Sequence, residues 1–369
     1  MGGLIRVRDV VAAMERIAPP GLALSGDPAG LHAGDLETPV RRILVSLDAS
    51  YDALRRAKRD RCGMLVVHHP LFYRGLKSLA ENDPAGRLAT TVARSGFAVY
   101  SAHTCLDLAE GGVNDCLART AGLAETTIMQ PIKGEKLLKL AVFTPVSSIE
   151  KVRRALCSAG AGHIGRYSDC TFRVRGTGTF RCGSGTKPFQ GRPGSFEEAD
   201  EYRLETVFGE FSADRVIDAM LAAHPYEEVA YDLYPLQGQA RTYGFGRVGE
   251  LSEPEFLAPL AGRLARTVGS GMAQYRGNPR RLVRRLAVWA GGGIDVKSAI
   301  DSRADALAAG EIGYHDGETL TDAGLALITL GHGYSEYPVL RPLAGRLEKE
   351  LGGRAAIVVA LGGTTSRNV

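Results

Sequence analysis

The 369-residue sequence has no stretch approaching the ~20 consecutive apolar residues that a membrane-spanning helix requires, so a helical membrane protein is excluded. It has no run of lysine or arginine. The net charge of +4 is spread along the chain, and phosphate-backbone binding needs clustered positive charge, which argues against nucleic acid as the main partner. Six cysteines (Cys62, Cys105, Cys116, Cys157, Cys170 and Cys182) form neither a CxxC pair nor a dense framework, so reduced thiols in a cytoplasmic protein are expected. The N-terminus lacks the charged start and unbroken apolar core of a signal peptide and reads as an amphipathic helix. The 46 glycines are scattered, with no low-complexity tract.

What is present describes a folded chain. A hydrophobic fraction of 44% with 23% charged residues is ordinary for a globular protein, and the length suits two or three domains. Residues 1–133 alternate helix and strand. A helix over 7–18 stops at Pro19-Pro20, a buried strand over 41–48 leads to a helix over 50–60 that Ser50 can cap, and strands over 63–69 and 97–103 flank another helix. Such alternation implies a largely parallel sheet. From about residue 136 the order becomes β-α-β-β-α-β, the ferredoxin-like pattern. In that topology the first and last strands are neighbours, so the unit can be inserted without stretching its host. After about 240 the alternation resumes, with helices at 254–267 and about 336–351. The expected architecture is a discontinuous α/β domain, 1–133 and 240–369, split by an inserted ferredoxin-like βαββαβ domain over 134–239.

Three apolar strands end in chemistry. The first runs into His68-His69, where Pro70 forces the chain out of the sheet; ends of parallel strands open into the crevice where ligands bind. Alternatively, one ring is buried and hydrogen-bonded and the other exposed. The second runs into His103 and Asp107 before Gly111-Gly112. Asp107 is a candidate hard ligand, although a turn or cap role is the commoner fate of an Asp there. The third runs into Gly331-His332, with Glu336 four residues on; if a helix begins near Tyr334, Glu336 sits in its first turn and points back toward His332. A helix-start Glu beside an incidental His is the plain alternative. Taken together, His68, His69, Asp107, His332 and Glu336 are too many ligands for one tetrahedral zinc and suit two divalent ions bridged by a carboxylate. Asp48 is a candidate partner for a liganding imidazole, and His103, Glu311 and His315 are candidates for proton transfer or substrate contact. The AGGGID segment (290–295) reads as an anion-binding turn or a plain Gly-rich one, and Cys105 as structural.

These motifs, in this order, resemble the NIF-three-like dinuclear metal-centre family, which includes type 2 GTP cyclohydrolase I homologues. GDPAGLHAGD (26–35), RRILVSLDAS, GGVND and GEIGYHD also fall in family order. Residues 159–172 and 223–236 resemble the lid domain of longer members, itself similar to the PII and CutA proteins. The family's ligand pattern falls on His68, His69, Asp107, His332 and Glu336. Cys105 stands where the family usually has Asn, and Tyr314 where it often has a second His. The resemblance implies a homohexamer and a metal-dependent hydrolase acting on a nucleotide or related heterocycle. The alternative is a non-catalytic, metal-dependent regulatory or effector-binding protein. Side chains of these types accept Zn, Fe, Mn or Co, so the metal's identity stays open.

Overall fold

Short apolar runs closed by turn residues set the architecture of the computed structural model, which describes residues 4–73 and 75–361. The chain begins with α1 (Val7–Ile17), whose Val7, Val10, Ala13, Met14 and Ile17 share one buried face at helical spacing. It continues through β1 (Gly30–Ala33), β2 (Arg42–Ser46), α2 (Tyr51–Arg59), β3 (Met64–Val67), α3 (Pro84–Ser95), β4 (Ala98–Ser101), α4 (Thr104–Leu108), α5 (Val113–Ala121) and β5 (Leu123–Pro145). Ser50 caps α2, its hydroxyl accepting from Ala53 N–H at 3.2 Å, a contact worth about 1 kcal/mol. α6 (Ile149–Ser158), β6 (Thr171–Arg181), β7 (Phe196–Gly209), α7 (Ala213–Ala223) and β8 (Tyr231–Phe256) follow. The chain closes with α8 (Leu257–Val268), β9 (Gln274–Arg276), β10 (Leu282–Trp289), α9 (Val296–Asp301), β11 (Ala306–Ala309), α10 (Tyr314–Asp322), β12 (Ala326–Thr329), α11 (His332–Glu336), α12 (Leu340–Glu350) and β13 (Ala356–Val359).

Two compact units result. One is formed by the chain before Lys133 and after Thr242, the other by Lys133–Thr242. The first holds two sheets. β1-β4-β3-β2-β13 is parallel except for β1, which runs antiparallel to β4. In the other, β10, β11 and β12 are parallel, with the end of β8 and β9 as antiparallel flanks. Every residue of β3, β4 and β11 is buried, as expected of parallel strands covered on both faces. In the second unit the strand order is β6-β7-β5-β8. Leu140, Val142 and Leu204 of its sheet bury against Val152 and Leu156 of α6 and Val216 and Met220 of α7.

The observed elements correct several sequence-based expectations. β5 starts at Leu123, well before residue 136, and β8 runs as one continuous strand across the expected domain boundary near 240. The four-residue β1 and β11 and the three-residue β9 were not expected at all. β11 reads Ala-Leu-Ala-Ala, a helix-forming composition that pairing on both sides overrides. The single helix expected near 336–351 is three pieces: α11, a 3₁₀ turn at Tyr337–Val339, and α12. Pro338 lacks the N–H that an unbroken helix would use.

No helix is long and apolar enough among the described residues to cross a membrane.

Candidate metal centre

β3 ends at Val67, and the next two residues leave the ladder together. His68 N–H donates to the carbonyls of Ser46 and Leu47 at 3.2 and 3.1 Å, and His69 N–H to that of Leu47 at 2.8 Å. On a regular strand these side chains would face opposite ways; here their ring centroids lie only 4.8 Å apart. β4 supplies His103 just past its end and Asp107 from α4. From the other sheet, β12 turns through Gly331 (φ +92°) into α11, whose first and last residues are His332 and Glu336. The i, i+4 spacing stacks these two on one face, with His332 Nε2 3.2 Å from Glu336 Oε1. Glu336 thus closes the helix and does not sit in the first turn of one beginning near Tyr334.

Four imidazoles gather here, each tethered through Nδ1. His68 Nδ1 donates to the carbonyl of Ala102 at 3.1 Å, His69 Nδ1 to Asp48 at 2.9 Å and His103 Nδ1 to Asp27 at 2.6 Å, while His332 Nδ1 lies 3.2 Å from Glu311 Oε2. A carbonyl or ionised carboxylate can only accept, so each tether keeps a proton on Nδ1 and leaves Nε2 as the nitrogen that an ion could take in place of a proton. Three of the Nε2 atoms face one carboxylate: His68 at 3.7 Å, His69 at 3.1 Å and His332 at 3.2 Å from Glu336 oxygens. Asp107 Oδ1 lies 3.7 Å from His68 Nε2. The 3.7 Å separations are too long for hydrogen bonds. Two donors each ~2.1 Å from a tetrahedral ion would themselves be roughly 3.4 Å apart, so the spacing suits a cation between them. His68, His69 and Glu336 can bring one ligand atom each within 4.8 Å of one another, a candidate metal-binding cluster.

The electrostatics also favour positive charge at the centre. Burial alone would raise the Glu336 carboxyl, but the imidazoles of His332, His68 and His69 turned toward it outweigh burial and hold the group well below the usual carboxylate range. Burial pushes Asp107 up to about 6, with His68 pulling it down and Glu336 pushing it up. Burial would likewise depress His69, yet Asp48 and Glu336 lift it to about 10; His332, bonded to Glu336, rises to about 9. Without another cation, protons supply the charge that buried Glu336 and half-buried Asp107 demand. Glu336 Oε2 is buried with no hydrogen bond of its own, His69 Nε2 approaching it without a bonding geometry. An unsatisfied buried carboxylate oxygen facing an imidazole is what a metal ligand leaves behind.

The glycines of AGGGID serve this cluster by what they lack. A Cβ on Gly291 would lie 2.7 Å from Glu336 Oε1, and its φ of +68° disfavours any other residue. Gly291 N–H also donates to Ser335 Oγ at 2.9 Å. Buried Asn114 ties the two sheets' loops together, donating to the Asp107 carbonyl at 3.1 Å and accepting from Ala290 N–H at 3.1 Å.

Of the residues expected from sequence, His68, His69, Asp107, His332 and Glu336 come together, with Asp48 behind His69. His103 adjoins them, its ring 5.4 Å from His68 and 6.0 Å from His69. Glu311, more than half exposed, contacts His332. His315 does not join: it lies on exposed α10, and among the described residues its ring contact is with Tyr314. Cys105 is buried, and burial pushes its thiol up to about 12, so it is no thiolate at neutral pH. Asp27 was missed as a site residue. Its carboxylate holds His103 and also accepts from Thr104 N–H at 3.0 Å and from the Thr104 hydroxyl. The only sequence signal was its place in GDPAGLHAGD, far from any histidine motif.

The sequence model of the family described as Duf34/NIF3 (NGG1p interacting factor 3) matches residues 5–362. The chain belongs to this family. It is 37% identical over 324 residues to a protein of Halalkalibacterium halodurans named GTP cyclohydrolase 1 type 2 homolog, covering 88% of this chain and 87% of the relative. A Bacillus subtilis relative of the same name is 37% identical over 337 residues, covering 91% and 90%. Among solved structures, the Bacillus cereus protein related to NIF3 superposes with a TM-score of 0.86 at 33% identity over the full length of both chains. The mixed α/β fold is therefore the family's.

Proposed function

We propose that this protein holds two divalent metal ions per chain and uses them to hydrolyse a nucleotide or related heterocycle. The observation that carries the reading is one buried carboxylate, Glu336, faced by the Nε2 atoms of His68, His69 and His332, each ring tethered through Nδ1. His68, His69, Asp107, His332 and Glu336 would hold the ions. Bound there, the ions supply Lewis-acid polarisation of a substrate oxygen. The chain's own contribution is orientation and proton handling. Asp48, Asp27, Glu311 and the Ala102 carbonyl would orient the imidazoles through Nδ1, and His103, held by Asp27 beside the cluster, would carry a proton to or from a bound substrate. A cleft of about 400 Å³ lined by Ser46, Asp48, Ser50, Arg56 and Tyr337 holds none of the candidate ligands and meets the site through Asp48, the partner of His69.

The names of the relatives support a nucleotide substrate class. We extend the reading to the inserted unit as a ferredoxin-like lid and to a homohexameric assembly. The strand order β6-β7-β5-β8 supports the first; native mass measurement tests the second. The activity is tested by turnover of purine nucleotides. Turnover lost on chelation and restored by added metal supports the hydrolase. Metal-loaded protein that turns over no nucleotide or heterocycle removes the catalytic part.

A further inference from the structure

The end of the five-stranded sheet opposite the histidine cluster carries a second concentration of charge, of the other kind. Arg41 immediately precedes β2, Lys58 lies in the last turn of α2, Arg61 follows that helix, and Arg94 lies in the last turn of α3. The four line one cleft of about 540 Å³ together with Cys62 and Phe97. No acidic side chain lines it, and among the described residues none of the four cations has a side-chain ion pair or hydrogen bond. The nearest acid in sequence, Asp60, already pairs with Arg56 and Arg59. Arg61 is held there at a left-handed φ of +54°, a conformation that non-glycine residues seldom adopt.

Four like charges in one concavity repel, and a protein keeps such an arrangement when an anion relieves it. We infer that this cleft binds a small polyanion bearing two or more phosphate groups. Guanidinium forks pair with phosphate oxygens two at a time, and three of the four cations are arginines. The cleft's volume falls within the range of small-molecule sites, and it is a local concavity, not the extended stripe that a nucleic-acid backbone needs. The half-buried Phe97 gives it an apolar wall. The cleft lies at the N-terminal ends of β2, β3 and β4 and the histidines at their C-terminal ends. With four or five residues per strand, the two are separated by roughly 13 Å or more, so the sites are independent in their contacts.

The probe is inorganic pyrophosphate, titrated calorimetrically into the full-length protein both metal-free and metal-loaded, at low and high ionic strength. Saturable binding in the metal-free protein, weakened by salt, is the expected result. Arg41→Glu combined with Arg94→Glu should weaken it by at least about tenfold, while Arg284→Glu, outside the cleft, should not. Should the charge reversals perturb folding as judged by circular dichroism, Lys58→Gln with Arg61→Gln removes charge more gently and carries the same expectation. Absence of saturable binding, affinity unchanged in both double variants, or binding confined to the metal-loaded protein would each overturn the proposal. Binding of a DNA duplex without binding of pyrophosphate would overturn it as well.

Discussion

His224 in the Lys133–Thr242 unit and the histidines of the metal cluster are the same residue in buried or half-buried surroundings, and they meet opposite fates. His224 spends both ring nitrogens on backbone: Nε2 donates to the Phe143 carbonyl at 3.0 Å, and Nδ1 accepts from Tyr226 N–H at 3.2 Å. Burial lowers its pKa, so it stays neutral and structural. His68, His69 and His332 each tether only Nδ1 and turn Nε2 toward carboxylates, and their pKa values rise. Burial is common to both. What separates a structural histidine from a candidate ligand is the nitrogen left over and the charge it faces.

The largest expected effect comes from removing that charge. Glu336→Gln keeps shape and volume but leaves His68, His69 and His332 facing a neutral amide. At least one ion should be lost from reconstituted protein while circular dichroism stays native. Asp107→Asn should act in the same direction, whereas His315→Gln, outside the cluster, should leave metal content unchanged.

Next comes the space the cluster needs. Gly291→Ala places a Cβ 2.7 Å from Glu336 Oε1 at a φ of +68°, and should destabilise the fold by about 2 kcal/mol as read from denaturant midpoints. Metal content should fall with it. Gly293→Ala is a sharper control: φ is +71° but nothing lies within 4 Å of the added Cβ, so it should show the backbone cost without metal loss.

Removing a tether should cost less. Asp48→Asn takes away the carboxylate that fixes the His69 tautomer, and metal affinity should drop by about tenfold, the scale of such supporting contacts. Unchanged affinity would mean that the tether is incidental and would weaken the contrast with His224.

A further contrast concerns pH, and the two kinds of histidine should differ in sign. For His69 and His332 the folded pKa values, about 10 and about 9, lie above the unfolded 6.5. In metal-free protein their contribution to stability is fully present below pH 6.5 and is lost as pH rises through 9 to 10. For His224 the folded pKa lies below 6.5, so its contribution is present above pH 6.5 and is lost as pH falls through the folded value. Hydrogen exchange of metal-free protein across this range should show protection around β12 and α11 falling toward alkaline pH, and protection around α7 falling toward acid. The same direction of change in both regions would break the comparison.

How much of this could be read in advance follows the range of the interactions. The apolar runs before His68, His103 and His332 end abruptly, so the strand ends and the residues they present were legible locally. The role of Glu336 as the meeting point was legible only as far as its i, i+4 spacing from His332. Asp27, the Ala102 carbonyl and Gly291 act on residues distant in the chain, so GDPAGLHAGD and AGGGID stood out as segments without their contacts to His103 and Glu336 being legible. For the same reason four basic residues at 41, 58, 61 and 94 looked like scattered surface charge until the ends of β2, α2 and α3 were set side by side. β5 and β8 were cut short at the expected domain boundaries near 136 and 240, whereas both strands run on through them.

Metal stoichiometry tests the central claim most directly. Purified protein stripped with a chelator, reconstituted separately with zinc, manganese, iron and cobalt and freed of excess ion, should reach two equivalents per chain with at least one of them by elemental analysis. Saturation at one equivalent or none with every metal would contradict a dinuclear centre built around Glu336.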